Sequence, residues 1–486
     1  MPPERSRQPS TDPADSRPTA PAMGGESPAA IDHTQDIGPD MATSEGRREI
    51  RKATAASAMG NATEWFDYGV YAVAVTYISA HFFPSEGGTV YALATFAISF
   101  LVRPLGGLVW GPLGDRLGRK TILAATILLM SAATFAIGIL PTFDQIGIWA
   151  PVLLVFLRMV QGFSTGGEYG GAATFMAEYS PDKKRGFFGS FLEFGTLGGF
   201  ALGTAVMLGM QLLVSEESMM AWGWRVPFML ALPMGLIGLY LRSKLEDTPV
   251  FQELEERGEV SQGGSLKSLI REYWRPMLVM TGLVTALNVV NYTLLSYMPT
   301  YLESQLGLAS QASLAVILIG ELAMMAVIPF AGSLSDRVGR KPMWYTSVIG
   351  LFVFALPMFW LMGQSFALAI IGFAVLGLLY IPQLATITAT FPAMFPSHVR
   401  FAGFAITYNV ATALFGGTAA VVNEAVIDDT GFLLFPAVYM MVACIIGFVA
   451  IRFMPETAGA SLRGTALPDA AETGILAEEE PAGLRG

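Results

Sequence analysis

Glu64, Asp67, Arg103, Arg158, Glu168, Glu193 and Glu321 lie inside stretches of sequence otherwise too apolar to hold a charge. An ionisable side chain deep in a membrane-crossing segment costs at least about 2.5–3.5 kcal/mol, so each is a candidate for function until a partner explains it. Glu64 and Asp67 are three apart and share a helix face; at about 1.5 Å per residue they lie roughly 16 to 21 Å into their apolar run, near its midplane. Two carboxylates that close in a dry site repel, which makes the pair competent to bind and release a proton near neutral pH. Arg158 lies about 12 Å into a later run and can reach Asp67 from a neighbouring helix, as a coupling partner or as a structural buried salt bridge. Glu168 stands in Gly166-Gly167-Glu168-Tyr169-Gly170-Gly171, among small residues that permit close helix packing. It is a second protonation site, a partner of Arg103 or Arg158, or an inter-helix strut. Glu193 is about two turns from the end of its run, where it meets Arg or Lys of a loop. Glu321 has nothing nearby in sequence to pair it and is a candidate site residue.

The elements that must position these groups follow from composition. Of 486 residues 53% are hydrophobic and only 14% charged, and mean hydropathy is positive. Such a chain keeps its apolar surface in lipid. Twelve apolar runs, from 53–80 to 432–454, are each about one bilayer thickness long, about 20 residues or slightly more. The formal charge of −10 sits in the tails, with eight acidic against three basic residues in 1–46 and six against two in 455–486. No basic stripe is left for nucleic acid, and the tails have the composition of disordered segments. One cysteine, Cys444, and three histidines give no disulfide and no recognisable metal site. No nucleophile elbow, zinc-helix pair or P-loop offers enzyme chemistry.

Lys and Arg fall in alternate loops, RREIRK (47–52), GDRLGRK (114–120), DKKR (182–185), the central loop with Arg242, Lys244, Lys267 and Arg271, SDRVGRK (335–341) and HVR (398–400), and the loops between these carry acids but no Lys or Arg. By the positive-inside rule both termini are cytoplasmic. An internal repeat is also visible. Gly111-Pro-Leu-Gly-Asp115-Arg116-Leu-Gly118-Arg119-Lys120 returns 221 residues later as Gly332-Ser-Leu-Ser-Asp336-Arg337-Val-Gly339-Arg340-Lys341. The expected fold is therefore all-α and integral to the membrane. It has twelve transmembrane helices in two six-helix halves (47–242 and 276–454), a central loop (243–275) and tails (1–46 and 455–486). Related halves with a site between them are the build of alternating-access transporters. In the repeated loops, the Asp and basic residues hold one side shut by charge-assisted bonds that break on switching.

The two copies of G-x-x-x-D-R-x-G-R-K resemble the signature of the major facilitator superfamily. GNATEWFDYGVYA (60–72), MVQGFSTGGEYGGAATFMAEYSPDKKRGFFGSFLEFG (159–195), LEDTPVFQ (245–252) and FPAMFPSHVRFAG (391–403) resemble its metabolite:proton symporters, most closely the bacterial proline/glycine betaine:proton symporters. Osmosensing members of that family often end in a long coiled coil, and the tail here has no sustained heptads.

The resemblance implies a bacterial cytoplasmic-membrane protein, a functional monomer without cofactor, that imports a zwitterionic osmolyte with a proton. It implies Asp67 and Arg158 as the coupling pair, with Arg158 opening an R-x-x-x-G stretch, and Glu178 with Arg185 as a cytoplasmic gate pair, Arg400 echoing Arg185 in the second half. Arg103 suits a substrate carboxylate, and methylated cations suit aromatic faces. The candidates are Trp65, Tyr68, Tyr71, Tyr292, Tyr297, Tyr380 and Tyr408, with Asn288, Asn291 and Asn409 as polar neighbours. Near relatives carry dicarboxylates, citrate, 2-oxoglutarate or shikimate; a multiply charged anion needs more buried cations than Arg103 and Arg158 supply. A transport-inactive receptor is the competing class, and it predicts loss of the gate motifs or the coupling carboxylates.

Overall fold

The computed structural model describes residues 43–117, 119–166, 168–242, 266–397 and 399–462, and among these every regular element is helical. The first half contains α1 (Ser44–Val73), α2 (Gly88–Leu117), α3 (Arg119–Ile139), α4 (Trp149–Thr165), α5 (Glu168–Tyr179), α6 (Arg185–Leu213) and α7 (Ala231–Arg242). The second contains α8 (Leu266–Asn291), α9 (Ser310–Val338), α10 (Arg340–Met362), α11 (Phe366–Leu384), α12 (Arg400–Phe415), α13 (Gly417–Thr430) and α14 (Phe435–Phe453). Eight helical stretches among the described residues are long and apolar enough to cross a membrane. Other expected runs are polar or broken. α1 carries the RREIRK cluster as well as Glu64 and Asp67, and the run from 150 to 177 is interrupted between α4 and α5. Outward-facing side chains such as Leu105, Phe330 and Phe453 are more than half exposed, which suits a belt in lipid.

Helix ends follow local chemistry. The Thr43 hydroxyl accepts from the Gly46 N–H at 3.0 Å and starts α1. Gly339 takes φ 97°, open to glycine, and turns the chain from α9 into α10. The basic stretch 47–52, expected as a loop before the run at 53–80, is helical, since α1 begins at Ser44, and part of the expected central loop is helix from Leu266.

Small residues seat the helices that carry the charges. Gly195, Gly199 and Gly203 of α6 recur every four residues, and a Cβ on any of them would meet the backbone of α1 at Ala58, at Ala62 to Phe66, or at Gly69 and Val70. α1 is therefore held against α6 at close range. Asn61 of α1 clamps the same seam, donating to Leu192 O at 2.7 Å and Thr196 Oγ1 at 2.6 Å. Gly162 and Gly166 do likewise for α4 and α2, lying on the backbone at Ser99 and Arg103.

The halves meet along α6 with α9, along α2 with α12 and α13, and where α1 meets a π-helical turn, Tyr292–Tyr297, that continues α8. Single π-turns are frequent at functional sites. The first residues of the expected C-terminal tail are packed rather than loose. Ala460 and Leu462 are buried, and their carbonyls accept from Arg185 and Arg400 at 2.8 and 2.7 Å.

Candidate functional site

Arg103 is 1% exposed and sits on α2 where α1 crosses it. Its Nη2 donates to Tyr68 Oη at 2.9 Å and lies 3.5 Å from Glu64 Oε1. The guanidinium also lies over the Tyr68 and Phe100 rings, 5.0 and 4.8 Å from their centroids. The positive charge is thus partly balanced by Glu64, one of the pair read on α1, and its remaining face is aromatic.

Arg158 and Asp67 come together without touching. The Arg158 Nη1 donates to Gln161 Oε1 at 2.8 Å, and Nη2 donates to Ser99 Oγ at 3.1 Å, with the plane 4.3 Å from the Tyr71 ring centroid. Gln161 in turn donates to Thr134. Neither oxygen of Asp67, which is 2% exposed, has a close hydrogen-bond partner among the described residues; the Thr134 hydroxyl faces it, and Arg158 and Glu168 act on it through space. The expected direct pair is absent because Arg158 is turned toward α2. A relay through Gln161 and Thr134 stands between them, and neither residue was singled out in the sequence. Glu168 opens α5 and lines a small cavity with Glu64, Thr63 and Ser131, so two carboxylates of the first half face one space, and Glu168 also acts on Asp67.

A second cluster lies across the half interface. Tyr169 of α5 stacks on Tyr408 of α12, centroids 4.6 Å apart at 22°, with Phe404 beside them. The Tyr169 hydroxyl donates to Glu193 Oε1 at 2.6 Å, and Thr196 donates to Glu193 Oε2 at 3.0 Å. Glu193 therefore faces the aromatic cluster, in place of the loop cation expected for it. Tyr169 was missed, although it adjoins Glu168 in the small-residue stretch.

Tyr292, on the π-turn, joins the two clusters. Its ring meets Phe100 edge-on at 5.0 Å and Trp65 at 6.4 Å, both Arg103 and Tyr408 act on it, and its hydroxyl has no hydrogen-bond partner among the described residues. A cation, a row of aromatic faces and a carboxylate therefore follow one another, Arg103 to Tyr292 to Tyr408 and Tyr169 to Glu193.

Several expected neighbours are committed elsewhere. Tyr71 donates to Ala92 O, and Tyr297 donates to Glu424 Oε2 at 2.7 Å in a separate cluster with Gln305. Asn409 donates to Gly166 O at 2.6 Å, stapling α12 to the break between α4 and α5, and Asn288 donates to Thr412. Asn291 accepts from Tyr380, which lies within reach of the Glu193 charge. Glu321 joins neither cluster by a hydrogen bond.

The gate residues re-pair. Glu178 accepts from Arg400 Nη1 at 2.9 Å, across the halves, whereas Arg185 pairs with Asp182. The expected Glu178–Arg185 pair is replaced because Arg185, beginning α6, turns back onto Asp182 and Ala177 O. Asp336 accepts from the Gly186 and Phe187 N–H groups at 2.7 and 2.9 Å, capping α6 from the other half, and is held by Arg340 at 2.7 Å. That explains the Asp of the repeated loop, since a carboxylate at a helix N-terminus meets unsatisfied N–H groups and the dipole. The Arg340 and Lys341 N–H groups donate to Glu456, and Arg337 is exposed. In the first-half copy, Gly118, the surroundings of Gly111 and the side chains of Asp115, Arg116, Arg119 and Lys120 lie outside what the structure describes. Arg400→Ala is expected to break the buried pair with Glu178 and to cost about 3–5 kcal/mol at this face. A lowered thermal midpoint of the purified protein checks it, and the exchanged pair Glu178→Arg with Arg400→Glu should recover most of the loss.

Residues 58–421 match the Major Facilitator Superfamily. The chain is 44% identical over 431 residues, 85% of each chain, to the glycine betaine/proline/ectoine/pipecolic acid transporter OusA of Dickeya dadantii. It is 43% identical over 432 residues, 86% of this chain and 85% of the relative, to the proline/betaine transporter of Escherichia coli K12. Among solved structures, the proton:xylose symporter XylE bound to 6-bromo-6-deoxy-D-glucose shares the fold at TM-score 0.69 and 18% identity, over 86% of this chain and 98% of that one. The inward-open xylose transporter XylE from E. coli gives 0.66 at 17% identity, over 85% and 98%. With its apolar helices and these relatives, the chain is a multi-pass membrane protein and belongs to the Major Facilitator Superfamily.

Proposed function

We propose that the protein is a proton-coupled importer of zwitterionic osmolytes such as proline and glycine betaine. It acts as a monomer of twelve transmembrane helices in the bacterial cytoplasmic membrane with both termini inside. The observation that carries this reading is identity above 40% over some 85% of two relatives named for betaine and proline. The arrangement at the half interface supports it: a zwitterion sets its carboxylate on Arg103 and its ammonium or methylated cation against Tyr292, Tyr408 and Tyr169, with Glu193 behind them. A dicarboxylate would bring its second anion toward Glu193, which disfavours it by like-charge repulsion. Asp67, with Arg158 held nearby through Gln161 and Thr134, is the proton site, and Glu64 and Glu168 share its field. Glu178–Arg400 and the Asp336 cap close the cytoplasmic side and break when the halves rock.

The test is uptake of labelled proline and glycine betaine into proteoliposomes under an imposed pH gradient, with and without protonophore, beside 2-oxoglutarate and citrate. Accumulation of the zwitterions that collapses with protonophore is expected. Uptake of the dicarboxylates alone would keep the fold and overturn the substrate.

A further inference from the structure

α6 and α9 form a seam between the halves that runs the length of both helices. At one end Gly186 lies against Gly332, with Asp336 capping α6. At the other, Gln211 Nε2 donates to Ser310 Oγ at 2.9 Å and Gln311 Nε2 donates to Gln211 O at 3.0 Å. Between them sits Glu321 of α9, 0% exposed, and neither of its oxygens has a hydrogen-bond partner among the described residues.

Thr204 of α6 is the polar side chain that acts on Glu321, and its single hydroxyl is shared with Phe200 O at 3.0 Å. One shared hydroxyl is little for the two oxygens of a carboxylate, which only accepts, and burial in a dry seam works against its charge; the protonated form carries a donor of its own that can turn toward Thr204. Among the described residues no charge compensates an anion here. On α6, Arg185 is taken by Asp182 and Glu193 by Tyr169 and Thr196. On α10, Arg340 is held by Asp336, and Lys341 stands beside it at the same end. Glu303 precedes α9 at the other end, and the one titratable group of α11 is Tyr380, whose hydroxyl donates to Asn291; the buried Gln383 of α11 is neutral.

We propose that Glu321 is a second proton-binding site, in the opposite half from Asp67, and that the α6–α9 seam closes only when its carboxyl is protonated. When the seam parts and water reaches the carboxyl, the proton leaves and the charge holds the seam open until it is neutralised again. Proton release is thereby tied to the movement of the halves. This rests on the reading of the chain as a proton-driven transporter and adds a site to it.

The seam can be read directly, without substrate. In full-length protein carrying Cys444→Ser, so that no other thiol remains, Gln211→Cys and Ser310→Cys are bridged by a short bifunctional methanethiosulfonate in liposomes at a series of pH values. The bridged fraction is expected to fall severalfold as pH rises. Thiol reactivity alone would raise it, because thiolate is the reacting form. Glu321→Gln, close in shape and never charged, should hold the fraction high at every pH, and Glu321→Asp should keep the dependence with a displaced midpoint. A parent profile that does not fall with pH, or the same fall in Glu321→Gln, overturns the proposal. Because neither substrate nor gradient enters the measurement, its failure leaves the uptake experiment untouched, and failure of uptake leaves this result standing.

Discussion

Asp67→Asn is expected to abolish uphill accumulation while leaving substrate exchange close to that of the parent. One pH unit across the membrane is worth about 1.4 kcal/mol per proton, which is about tenfold accumulation for each proton carried. Asn cannot take up or release a proton, so that factor disappears. The shape of the site changes little, because neither oxygen of Asp67 holds a hydrogen bond among the described residues whose loss would collapse the packing. Exchange of labelled for unlabelled proline in proteoliposomes without a gradient reads the binding and rocking steps alone. Gradient-driven uptake reads coupling. Persistence of accumulation in Asp67→Asn would make Asp67 a structural carboxyl and move coupling to Glu64, Glu168 or Glu321.

Arg103→Gln should have an effect as large and of a different kind, removing binding rather than coupling. Arg103 is the fixed cation of the substrate row and the partner of Glu64 at 3.5 Å. Its loss withdraws the charge that would meet the carboxylate and the cation that balances Glu64 at 3.5 Å. Breaking a buried pair by removing one member costs about 3–5 kcal/mol, some two to nearly four orders of magnitude in an equilibrium. Uptake and exchange should therefore both fall by at least about a hundredfold. The double variant Arg103→Gln with Glu64→Gln separates the two contributions. It should recover thermal stability, since no buried charge is left alone, and it should not recover transport. Arg103→Lys keeps the charge but loses the guanidinium plane that lies over the Tyr68 and Phe100 rings, so it should restore exchange only in part. Recovery of transport in the double variant would show that Arg103 serves Glu64 and not the substrate.

The apolar runs, the repeated Gly-Asp-Arg loop and the charges placed within the runs are all written in the sequence. Hydropathy is a property of about 20 consecutive residues and is read without knowing what the segment packs against. The same is true of the glycines of α6, whose four-residue spacing announces a close helix contact although not which helix makes it. For this reason the membrane class, the halves and the identity of nearly every buried charge follow from composition and pattern. The Asp of the repeated loop is legible as a gate residue, but its partner, the N-terminus of α6 at Gly186 and Phe187, is not.

What the tertiary structure alone decided is which groups meet. Glu178 and Arg400 are 222 positions apart and pair, while Glu178 and Arg185 are seven apart and do not. Asn409, read beside the substrate, staples the break in the fourth run instead, and Glu193, read toward the loop cations, turns to Tyr169. Tyr297 resembles Tyr292 by type and lies five residues away, yet it bonds Glu424. The π-turn over Tyr292–Tyr297 winds that stretch more slowly than an α-helix, so positions inferred from regular helical spacing change faces within it. Depth in the membrane is set by the local chain and was available from counting. Partnership is set by the rotation and tilt of one half against the other, which depend on contacts hundreds of residues apart, and no local period of the sequence contains them.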